Sequence, residues 1–154
     1  MELSDLYSDR ILAIAGNQPV PGRLPHPDAS AKKVSRVCGS MIEVDVSVED
    51  GVIAGYGHEI SACALGQTSA AVVASHIVGT PVSEFLKVRE EMAAMLKAGG
   101  PPPGGARWED LKYLEPVRDY PNRHSSTLLV FEAVAAALEK IGKPESPESV
   151  TGAS

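Results

Sequence analysis

Cysteine is scarce in this chain. Cys38 and Cys63 are the only two among 154 residues, too few for a disulfide framework, and they form no C-x-x-C pair. Their separation fits no zinc-finger pattern, so spacing alone points to no closed structural zinc site. Basic residues are also in deficit. Fourteen Lys and Arg stand against twenty Asp and Glu, a formal net charge of −6, and the pI is near 5.2. That balance argues against wholesale binding to nucleic acid or to an anionic membrane. No stretch approaches the roughly 20 consecutive apolar residues that a membrane-spanning helix needs. The opening residues Met1-Glu2-Leu3-Ser4-Asp5 are acidic and lack the basic stretch of a signal peptide. G-x-S-x-G, H-E-x-x-H and P-loop patterns are absent, as is any repeat of 20–50 residues. The expectation is a soluble, cytoplasmic α+β domain over 1–141, with 142–154 as a flexible tail.

What is present is globular in composition, with 44% hydrophobic and 22% charged residues. An amphipathic stretch from Ser4 to Gly16 places Leu6, Tyr7, Ile11, Leu12 and Ile14 on its apolar positions and predicts a helix. Pro19, Pro21, Pro25 and Pro27 make residues 18–30 an irregular connection. Ile42, Val44, Val46 and Val48 then alternate with Met41, Glu43, Asp45 and Ser47, the period of a half-buried strand. Glu49-Asp50-Gly51 supplies a turn, and Val52 to Ile60 alternates again, so the two runs form a hairpin. Lys33 to Val37 adds a preceding strand. Helices are expected over Gln67–Val78, after Ser83 as a cap, and from Ser125 to Ile141. A short helix over Trp108–Leu114 should end at Pro116. Val44, Val46, Leu86, Leu96, Leu129 and Phe131 are expected in the core.

The residues able to carry soft-metal chemistry sit at the ends of these elements. Cys38 lies between two strand candidates, Cys63 at a strand-to-helix junction, and His124 just before the last helix. A thiol at a helix N-terminus should ionise more readily, because the free amides and the dipole favour thiolate. Two thiolates and an imidazole would suit Zn²⁺ or an iron–sulfur centre. Each cysteine alone reads equally as a small buried hydrophobe. His26, His58 and His76 read as solvated or packed histidines.

The order of features resembles the U-type iron–sulfur cluster assembly scaffolds, the family of the NifU N-terminal domain, IscU and SufU. A Leu-Tyr-x-x-x-Ile-Leu helix precedes a Cys-Gly pair. A two-strand ladder leads to a second cysteine at the head of an Ala/Ser-rich helix, and Arg118–Leu129 looks like the family's last site segment. The resemblance covers roughly residues 4–140. It implies a small three-stranded antiparallel sheet with helices on one face and a site at one exposed end. It also implies that Cys38, Cys63 and His124 ligate iron, zinc or a transient cluster, with a cysteine desulfurase and cluster-acceptor proteins as partners. Glu59 or Asp119 could complete the shell. Two positions depart from the family: Ser40 stands where Asp follows Cys-Gly, and Ser125 stands at the third cysteine, the usual sulfur acceptor. Three roles follow as expectations, none of them an enzyme's: a cluster assembly protein, a zinc-binding modulator or sulfur-transfer partner of a desulfurase, and a metal-free interaction module.

Overall fold

The computed structural model describes residues 9–16, 22–36 and 39–142. Three strands, β1 (Ala29–Ser35), β2 (Ser40–Glu49) and β3 (Val52–Ser61), form an antiparallel sheet in the order β1-β2-β3. The hairpin reads as its sequence demands: Asp50 and Gly51 both take positive φ, 52° and 76°, the conformation a tight two-residue turn needs. Pairing runs from Met41↔Ser61 to Glu49↔Val52, with a bulge between Ser47 and Val48. The alternation of β2 sends Ile42, Val44 and Val46 to one face, where each is fully buried. Helices α1 (Asp9–Gly16), α2 (Ala64–His76), α3 (Val82–Ala98) and α4 (His124–Gly142) lie on this side, with α4 packed on β1 and β2 and also on α2 and α3. Phe85 of α3 and Phe131 of α4 stack at 5.9 Å between ring centroids in the middle of the core.

The other face of the sheet is held by a charged clip. Asp45 is buried on that face and accepts from Arg23 Nε (2.6 Å), Arg23 Nη2 (2.9 Å), the Leu24 amide (3.0 Å) and Ser30 Oγ (2.5 Å). Arg23 also pairs with Glu43 at 3.2 Å and Glu59 at 3.3 Å. The guanidinium and hydroxyl hydrogen bonds outweigh the cost of burial and hold the Asp45 carboxyl down at about 2. Gly57 makes this possible: a Cβ there would run into the Gly22 carbonyl oxygen, so only glycine lets the 22–24 segment lie on the sheet. At the far margin of the sheet, Lys140 Nζ donates to the Ser30 carbonyl at 2.6 Å.

Several expectations need correction. The first strand is Ala29–Ser35, not Lys33–Val37, so it begins inside the proline-rich connection. The stretch expected before Asp9 lies outside the described residues, and Leu12, given an apolar role, is half exposed. Helix α2 begins at Ala64, not Gln67, and α3 is capped by Pro81, not Ser83, which lies within it. Residues 79–82 bond along the start of β3, with Ile53 N to Thr80 O at 2.9 Å and Gly79 N to Ile53 O at 2.8 Å. That edge pairing and the bond from Phe85 N to Pro81 O at 3.1 Å start the helix at Val82, ahead of Ser83. Pro116 does not end a short helix. It sits inside a series of 3₁₀ turns over Ala106–Asp119, whose three-residue period lines up Trp108, Leu111, Leu114 and Val117, all buried. The last helix begins at His124, one residue early. Of the expected core residues only Leu86 is partly exposed, packed against the core from its margin.

Candidate functional site

Cys63 occupies the N-cap of α2, in extended conformation (φ −70°, ψ 172°). The strand β3 ends two residues earlier, and Ala64 opens the helix, so the sulfur lies where amides have no intrahelical acceptor. Burial pushes the Cys63 thiol up. The Ser126 hydroxyl, the amides of Gly66 and Leu65, and the charge of Arg123 together overcome it, so the thiol ionises below its ordinary range. This is the outcome expected for a thiol at a helix head.

Around Cys63 the structure gathers hydroxyls from three elements. Ser126 of α4 is fully buried; its Oγ lies 3.4 Å from Cys63 Sγ and 3.2 Å from Ser40 Oγ at the start of β2. Ser125 is exposed, and its Oγ shares a hydrogen bond of 2.7 Å with Ser35 Oγ at the end of β1. The head of α4 reaches this close because Gly66 has no side chain: a Cβ there would fall 3.0 Å from Ser126 Oγ and 2.9 Å from the Ala62 Cβ. The sequence pattern singles out Ser125 and not its buried neighbour Ser126. The available signal was a glycine three residues into an otherwise Ala/Val helix, a mark of close approach.

His124 begins α4 with Nε2 at 3.0 Å from the Val117 carbonyl and 3.3 Å from the Arg118 carbonyl. Both partners are acceptors, so Nε2 carries the proton and Nδ1 is the nitrogen with a lone pair to offer. Metal-binding histidines typically donate their second N–H to a carbonyl in this way. Cys38 lies outside the described residues. Ser35 pairs with Ser40 across the β1–β2 ladder. Among the described residues, no three His, Cys, Asp or Glu side chains gather to hold a metal. Glu59 is exposed and ion-paired to Arg23 on the helix-free face. Asp119 is exposed at the end of the 3₁₀ segment. His58 is buried, its pKa lowered by burial, and its Nδ1 shares a hydrogen bond of 2.8 Å with Tyr56 OH. His76 packs edge-on against Trp108, and His26 is exposed.

No family model matches the chain. A NifU-like N-terminal protein from Brucella abortus, described as nitrogen-fixing, is 47% identical and superposes with a TM-score of 0.87, covering 90% of this chain and 96% of its own. The IscU scaffold protein of Thermotoga maritima is 27% identical over 139 residues, 90% of this chain and 96% of the relative. A protein of Fervidobacterium islandicum described as a cluster assembly scaffold for the SUF system shares the fold, with a TM-score of 0.79 at 20% identity over 89% of this chain and 99% of its own. The sheet with its one-sided helices is thus that of a U-type fold. The chain belongs to the U-type iron–sulfur cluster assembly scaffold family.

Proposed function

We propose that this chain takes part in iron–sulfur cluster assembly, binding iron or a transient cluster through Cys38, Cys63 and His124 and handing it to acceptor proteins. Family membership supplies the class of role; the placement of Cys63 carries it to this chain. A thiol at a helix head, with amides and a hydroxyl to stabilise its anion, is ready to ligate iron without first surrendering a proton at high cost. His124 supports the reading through its Nε2–H bonds to backbone carbonyls, which leave Nδ1 as donor. A site with few strong ligands holds its cargo weakly, which suits transfer and not storage. The sulfur would come from a cysteine desulfurase, and the chain itself turns over no small-molecule substrate. A reducing, cytoplasmic setting suits the free Cys63 thiol, and no helix among the described residues is long and apolar enough to cross a membrane.

The test is anaerobic reconstitution with iron and sulfide, followed by desalting and assay of both. Wild type should retain them, and Cys63→Ala and Cys38→Ala should each lose most of the bound material. Equal retention by Cys63→Ala refutes the assignment. Zinc retained in place of iron and sulfide would move the chain to the desulfurase-modulator role.

A further inference from the structure

Ser126 belongs to no ligand set proposed above, yet it is fully buried and touches both Cys63 Sγ at 3.4 Å and Ser40 Oγ at 3.2 Å. Counting protons fixes the direction of both contacts. A cysteine that binds metal does so as thiolate and has no proton to give. The hydrogen between Ser126 and Cys63 is then Ser126's own. A hydroxyl has one proton and two lone pairs, so in the second contact Ser40 donates and Ser126 accepts. The result is a one-way chain of hydrogen bonds from β2 through α4 to the sulfur at the head of α2. Gly66 keeps the geometry tight, since any side chain there would push against Ser126 Oγ.

We propose that Ser126 is the positioning residue of the site: its hydroxyl holds the Cys63 sulfur in one orientation and donates to the thiolate when metal or cluster is bound. The proposal deepens the reading of Cys63 as a ligand and rests on it. Groups that hydrogen-bond a metal ligand tune its donor strength, and their loss typically weakens metal binding about 10–100-fold. Ser125 has no such part, being exposed and bonded to Ser35.

Cobalt(II) serves as the probe, titrated without oxygen into the full chain, wild type against Ser126→Ala and Ser125→Ala. Ser126→Ala should bind cobalt about tenfold more weakly. Its sulfur-to-cobalt absorption should move to lower energy, because a thiolate that accepts one hydrogen bond fewer gives up its electrons more easily. Ser125→Ala should match wild type in band position. A second readout needs no metal: the Hα–Hβ couplings of Cys63 in the apo protein should report one rotamer in wild type and averaging in Ser126→Ala. Unchanged band, affinity and couplings in a folded Ser126→Ala overturn the proposal. If wild type binds no cobalt, the ligand reading of Cys63 fails, and the couplings alone then decide whether Ser126 positions the sulfur. Should Ser126→Ala not fold, Ser40→Ala replaces it, with a smaller band shift in the same direction expected and no shift refuting.

Discussion

Asp45→Asn tests whether the charged clip fastens the 22–24 segment to the sheet. The wild-type carboxylate is 1% exposed and its pKa falls from 3.8 to about 2, chiefly through the hydrogen bonds from Arg23 and against the cost of burial. At 1.36 kcal/mol per unit that depression corresponds to about 2.4 kcal/mol. Arg23 is one-third exposed, so solvent screening reduces the expected contribution to about 2 kcal/mol. Urea unfolding at pH 7 should show Asp45→Asn weaker by that amount, with a thermal midpoint about 4–8 °C lower. A group whose pKa is depressed by folding stabilises fully above its unfolded value and loses that contribution as pH falls toward the folded one. The gap between wild type and Asp45→Asn should therefore persist from pH 7 to about 5, narrow through 4, and shrink to roughly a third by pH 2.5. A gap that stays constant across this range, or none at pH 7, refutes the electrostatic account of the clip.

Gly57→Ala should cost about 1–3 kcal/mol in urea unfolding, because the new Cβ meets the Gly22 carbonyl and not a flexible side chain. Combined with Asp45→Asn it should cost less than the sum, since both release the same segment, whereas strict additivity would separate the two effects. EDTA should leave the far-UV circular dichroism and thermal midpoint unchanged, because Phe85, Phe131 and Trp108 form a core that needs no metal; unfolding by the chelator would refute this. Ser125→Cys, on the exposed side of the hydroxyl cluster, should raise iron and sulfide retention by adding a thiolate, and unchanged retention with the thiol reduced would show that position 125 does not reach the site.

The sheet was legible because β2 and β3 carry a clean two-residue period and end in Asp50-Gly51. β1 was misplaced because its inward residues are Ala29, Ala31, Lys33 and Ser35, a face with little apolar contrast at the edge of the sheet. The 3₁₀ segment was misread for a related reason: Trp108, Leu111, Leu114 and Val117 recur every three residues, and a search for the α-helical period breaks off at Pro116. At the site, Cys63 and its helix-head environment could be anticipated from one junction in the sequence. For Ser126 the sequence offers only half the signal: Gly66 marks a close approach to α2, but not which residue sixty positions on makes it.

A three-stranded sheet leaves two margins with unpaired backbone groups, each a template on which another strand could grow. The bonds of residues 79–82 along the start of β3 occupy part of one. On the other, the ammonium of Lys140 occupies the Ser30 carbonyl, and Lys32 and Lys33 place two more charges on the same strand. A second copy of the chain that approached β1 edge to edge would have to strip a lysine from its carbonyl and bring like charges together. The last helix thus adds its own guard to that of the β1 lysines against self-assembly into extended sheets, and truncation before Lys140 would remove the helix's share.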